Sequence, residues 1–247
     1  IRRTDFDRSK LSHLSMMSGW VFVNQVGSLL LLNADLIIVN IVLGPEKAGR
    51  YSVVLQWAML IRTLVGVFAS IFAPMISISY AKNDMNKMVT IVKSSVKFLS
   101  LIVALTTGLL CGLGQDTLAL WLGPAFKQEW SLLILLCFPL SVIVSAQTLY
   151  APQIAANRVK IPGIAVLVSG LLYLALAVTL AHTKLAQFGV ALSSGFIFTS
   201  LTLFFTVPYT ASILNIQSFD LFKPLVLYGF LGSIMVFCIG LLAHYYL

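Results

Sequence analysis

The sequence predicts an all-α fold, a polytopic membrane helical bundle of about seven transmembrane helices. Three observations predict it. Hydrophobic residues make up 59% of the chain and charged residues 10%, with a mean hydropathy of +0.98, whereas a soluble domain carries about 25% charged residues. Apolar runs repeatedly reach the roughly 17–25 residues that a spanning helix needs. Long stretches lack the alternating pattern of barrel strands, so the backbone must satisfy itself within helices.

Taken in order, the candidate spans are 18–43, 52–76, 96–114, 130–150, 162–181, 188–208 and 224–246. Residues 1–17 mix Arg2, Arg3, Arg8 and Lys10 with Asp5, Phe6, Asp7 and Leu11, which suits an amphipathic cytoplasmic lead-in at the membrane interface. A plain topology signal explains the same residues. Met85 to Lys97 interleaves apolar residues with Lys87, Lys93 and Lys97, as an interfacial helix or the extended start of the third span would. Pro74 is expected to end or kink the second span, Pro139 to kink the fourth, and Pro152, Pro162, Pro208 and Pro224 to mark helix ends. Leu-Gly-Pro occurs at 43–45 and again at 122–124. A trace of an internal repeat and shared helix-stopping turn chemistry both explain it. The opening Ile1-Arg2-Arg3 and an end within the apolar run 225–247 read as a fragment of a longer protein.

The net charge of +8 would suggest nucleic acid in a soluble protein, but here the basic residues follow membrane topology. Eleven of the sixteen Lys and Arg fall on the side of the N-terminus and four on the other, with Arg62 inside a span. The positive-inside rule then makes the N-terminus cytoplasmic. The expected location is a bacterial-type inner (plasma) membrane, with membrane lipids as partners and no nucleic acid. Cys111, Cys137 and Cys238 have no paired spacing, and His13, His182 and His244 are scattered. They imply packing residues and no metal site. With no Ser/His/Asp grouping, glycine-rich phosphate loop or HExxH pattern, no enzyme and no cofactor is expected.

The candidate chemistry lies in the first hairpin. Asp35 sits in the first span and Arg62 in the second, and a charge at mid-bilayer costs roughly 2.5–3.5 kcal/mol on insertion scales. Helix rise puts them about 13 and 20 Å inward from the turn, close enough in height for a guanidinium to bridge. Two readings stay open: a buried ion pair that fixes packing, or groups lining a substrate path. Asn24 and Ser28 share a helical face with Asp35, while Asn33 and Asn40 add polarity elsewhere. Gln56 adds a polar group to the second span, and Gln147 and Tyr150 are further cavity candidates. Arg62 is suited to bind phosphate bidentately. Asp35 would neutralise it, orient it, or take up H+ or Na+ in a coupled cycle.

Several pieces, in this order, resemble the polysaccharide flippases of the MATE-like multidrug/oligosaccharidyl-lipid/polysaccharide exporter superfamily, the O-antigen translocase type. They are Asn33-Ala34-Asp35 with Leu43-Gly44, Ala48-Gly49-Arg50-Tyr51, and Pro74 followed by Ala81-Lys82-Asn83-Asp84. Leu120-Trp121-Leu122-Gly123-Pro124-Ala125-Phe126, Asn157-Arg158-Val159-Lys160-Ile161-Pro162 and Gly189-Val190-Ala191 complete the series. The resemblance implies two pseudo-symmetric six-helix lobes that move undecaprenyl-diphosphate-linked oligosaccharide to the outer leaflet by alternating access. On that template, 18–208 is a six-helix C-terminal lobe and 209–247 a cytoplasmic loop with an additional helix. The partner would be a missing N-terminal lobe or a second chain. A cation-coupled small-molecule or multidrug exporter of the same superfamily is the alternative. A membrane-embedded glycan polymerase or acyltransferase ranks lower, since no large outer loop is present.

Overall fold

The computed structural model describes residues 8–246, with side chains described for all of these except 8–17, 21, 30–33 and 246. The whole expected lead-in, 1–17, therefore lies outside the described side chains, and residues 1–7 outside the described backbone. Helix α1 runs over Arg8–Leu43, α2 over Pro45–Ala81 and α3 over Met85–Gly112. A short α4 (Gly114–Leu122) and a 3-10 turn (Pro124–Glu129) lead into α5 (Trp130–Cys137), α6 (Leu140–Ile143) and α7 (Tyr150–Ala155). Then come α8 (Lys160–Ala181), α9 (Ala186–Ser200), α10 (Val207–Leu214), α11 (Ser218–Pro224) and α12 (Gly232–Tyr246). Among the described residues, seven helical stretches are long and apolar enough to cross a membrane. They match the seven expected spans in order, and the protein is a multi-pass, all-α membrane bundle.

Local chemistry sets the boundaries. Gly44 takes φ +88, a conformation that glycine adopts without strain, and Pro45 opens α2 where its missing N–H costs nothing. The Asp84 carboxylate caps α3 by accepting from the Lys87 backbone N–H at 3.0 Å. Met85 to Lys97 is thus the extended start of the third span, not a separate interfacial helix.

Prolines behave differently from expectation. Pro74 lies inside an unbroken α2, and Pro208 and Pro224 lie within the sixth and seventh spans. Each of the last two adjoins a π-helical turn, Leu201–Thr206 or Leu225–Leu231, where the ladder slips to accommodate the lost donor. Pro139 kinks the fourth span, which loses its regular helix after Ile143. Between Phe138 and Leu149 the chain relies largely on tighter bonds, such as Ser141 N–H to Phe138 O and Gln147 N–H to Val144 O, both 3.1 Å. Gly195 on α9 makes room for this kink, since a Cβ there would meet Pro139 Cγ at 2.8 Å.

The main seams join α1 to α8 and α3 to α12. In the second, Gly112 and Gly240 bring the two backbones together, and Thr107 and Ser233 hydroxyls hydrogen-bond at 2.9 Å. Close contact through small residues plus interhelical hydrogen bonds is how helices associate in lipid. Leu60, Leu64, Val67 and Ile71 leave an apolar stripe of α2 exposed, a surface suited to acyl chains.

Candidate functional site

The kink at Pro139 places polar residues at membrane depth. A helix that continued through 144–149 would direct its amides into its own ladder. The irregular stretch instead presents Gln147 and Tyr150 to a cavity of about 380 Å³. Non-helical backbone within a membrane is tolerated where it lines such a cavity. Asn24 and Ser28 of α1 form another wall, Arg62 of α2 a third, and Phe198 and Thr202 of the sixth span close it. Arg62 is half-buried, with its guanidinium carbon 5.6 Å from the centroid of the Phe198 ring, within cation–π range. Among the described residues, no carboxylate lies within 4 Å of Arg62 and no side chain or backbone group hydrogen-bonds its guanidinium.

Asp35 does not share this cavity. It is 4% exposed, accepts a hydrogen bond from Tyr51 Oη at 2.8 Å and a second from Tyr173 Oη. Asp35 and Arg62 interact electrostatically but form no direct ion pair within 4 Å, for a reason of register. Helix α2 starts directly after Gly44, so the residues opposite Asp35 lie near Tyr51 and Val53, and Arg62 is about 13 Å further along the helix. Tyr51 has the height that Arg62 lacks. Gln56 is exposed and does not line the cavity, and Asn40 is exposed near the turn. The side chain of Asn33 lies outside the described residues. Of the seven sequence candidates, Arg62, Asn24, Ser28, Gln147 and Tyr150 come together, while Asp35 and Gln56 stand apart.

Sequence reasoning missed Gln25, Phe198, Thr202 and the pairing of Asp35 with Tyr51 and Tyr173. Tyr51 carried a signal, being a polar residue one helical turn inside the second span. Phe198 carried none, since an aromatic in an apolar run reads as packing.

The sequence profile described as polysaccharide biosynthesis protein matches residues 2–130. The chain belongs to this family. Among the family's relatives, the uncharacterized membrane protein EpsK of Bacillus subtilis (strain 168) is 31% identical over 226 residues, which cover 91% of this chain and 45% of that protein. The chain thus spans about half the length of this curated relative. No solved structure matches it. A membrane protein of polysaccharide biosynthesis is what the family and the seven spans together establish.

Proposed function

We propose that the chain is half of a flippase that moves undecaprenyl-diphosphate-linked oligosaccharide to the outer leaflet by alternating access. The observation that carries this reading is Arg62: a cation within a spanning helix, with no carboxylate within 4 Å among the described residues, facing a cavity with six uncharged polar side chains, Gln25 and Thr202 among them. A buried charge is costly in a membrane unless something compensates it, and a diphosphate would do so through paired, charge-assisted hydrogen bonds. Asn24, Ser28, Gln147 and Tyr150 would hydrogen-bond the remaining phosphate oxygens or the first sugar. The other half of the cavity would come from the second lobe that the resemblance implies.

Asp35 lies behind Tyr51 and Tyr173 rather than on the cavity wall. That favours the diphosphate reading over a cation-coupled small-molecule exporter with a substrate-facing carboxylate. The test is complementation of polysaccharide export by the whole protein carrying Arg62→Ala or Arg62→Lys. Arg62→Ala is expected to lower export at least tenfold with membrane abundance unchanged, and Arg62→Lys to restore it in part. Full export by Arg62→Ala would refute the assignment.

A further inference from the structure

At the end of the bundle where α2 and α9 begin, a second polar cleft of about 350 Å³ opens. Its floor is buried, with Glu129 5% and Gln187 9% exposed. Glu129 Oε2 accepts from Gln187 Nε2 at 3.1 Å, and Glu129 Oε1 lies 3.7 Å from Arg50 Nη1. A carboxylate only accepts, so the Gln187 amide must present its NH2 to Glu129. Gln187 Oε1 is thereby left buried with no donor among the described residues. Buried polar atoms in native proteins are almost always paired, so an orphan lining a cleft points to a ligand.

The floor lacks donors, while the rim has several. Lys47 and Gln128 are exposed there, Arg50 is half-exposed and pairs with the exposed Glu46 at 3.7 Å, and Phe188 adds an apolar ring. The matching ligand donates to the floor, accepts from the rim and has an apolar face. A bare cation would find both carboxylates, Glu46 and Glu129, already paired with Arg50 at 3.7 Å, and would meet Lys47 beside them. A phosphate would suit the rim but set its oxygens against Glu129. Neighbouring hydroxyls on a sugar ring donate and accept at once and carry no charge. We infer that this cleft binds one neutral sugar residue of a glycan, with Glu129 and Gln187 Oε1 accepting from adjacent hydroxyls and Gln128 and Lys47 donating at the rim. The inference rests on the proposed glycan-linked substrate, and gives that substrate a second contact about 18 Å along the bundle from Arg62, the rise of the twelve residues from Arg50.

The experiment is saturation-transfer NMR on the whole protein in nanodiscs. The probes are methyl glycosides of glucose, galactose, N-acetylglucosamine and N-acetylgalactosamine at millimolar concentration. At least one glycoside is expected to show transfer, abolished by Gln187→Met. Gln128→Ala and Lys47→Ala, which alter only exposed side chains, should each weaken binding at least threefold, and Arg62→Ala should leave it intact. Four results would overturn the inference. These are no transfer to any glycoside, transfer that survives the Gln187 and Gln128 changes, transfer lost only with Arg62→Ala, or a cleft that responds solely to sodium through a Glu129-dependent rise in Tm. Export that survives Arg62→Ala while glycoside binding persists would sink the diphosphate reading and leave this site standing. Export lost in that variant without glycoside binding would do the reverse.

Discussion

Asp35 shows how a single carboxylate is kept in a membrane interior without an ion pair. Two phenol hydroxyls from different helices supply hydrogen bonds, and bonds to a charged acceptor are worth more than neutral ones. Removing one donor leaves the carboxylate under-satisfied in surroundings with no water to replace it. Tyr173→Phe is therefore expected to cost about 1–3 kcal/mol of stability, read as a lower Tm of the purified protein, and to leave the polar wall around Arg62 in place. An unchanged Tm would show that the Tyr173 hydroxyl contributes nothing to holding Asp35. The residues legible in the sequence were those whose polarity is itself anomalous in an apolar run: Arg62, Asn24, Ser28, Gln147 and Tyr150. Of the Asp35 partners Tyr51 carried a signal, but Tyr173 was not legible, because it lies 138 residues away and an ordinary tyrosine gains its role only through tertiary neighbours. Gln187 escaped for the same reason, since its orphan oxygen exists only because Glu129 claims the other end of its amide.

Among the elements, hydropathy located all seven spans, because length and apolarity are properties of local sequence. It was less informative about interruptions. Pro74, Pro208 and Pro224 stay inside helical spans, while Pro139 kinks one and tightens its hydrogen bonds; the difference lies in what faces each ring, as Gly195 does for Pro139. The seam between α3 and α12 makes a sharper case. A Cβ on Gly112 would meet Phe237 O at 2.8 Å and Gly240 Cα at 2.9 Å, and backbone atoms cannot rotate aside. Gly112→Leu is expected to push α12 away and cost about 1–3 kcal/mol or more. Gly49→Ala, with nothing within 4 Å of the new methyl, should stay within about 0.5 kcal/mol of the parent. Thermal unfolding of both variants in the same detergent checks the contrast. Equal stability would mean that the seventh span does not depend on this close approach.

At the scale of the whole molecule, the turns divide the basic residues unevenly. Lys82, Lys87, Lys93, Lys97, Arg158, Lys160 and Lys223 lie toward the end with the turns near 82–84, 156–159 and 215–217. Lys47, Arg50, Lys127 and Lys184 lie toward the other end, in the company of Glu46, Asp116 and Glu129. At the first end Lys93 pairs with Asp220 at 2.8 Å and Lys97 sits over the Tyr228 ring, which holds α3 to the start of the seventh span. Lys160 sits over the Trp20 ring, and Lys82, Lys87 and Lys223 are placed to meet anionic headgroups. We propose that the excess of Lys and Arg orients that end toward the cytoplasm, which would set the Glu129–Gln187 cleft on the outer side and make the proposed transport direction run from the Arg62 cavity toward it. Single cysteines in a background lacking Cys111, Cys137 and Cys238 test this orientation. With a membrane-impermeant maleimide on intact cells, Lys184→Cys and Gly49→Cys should label, whereas Lys87→Cys and Arg158→Cys should label only after permeabilisation. The opposite pattern would invert the molecule, leaving both cavities intact but reversing which of them first meets a lipid-linked glycan made on the cytoplasmic face.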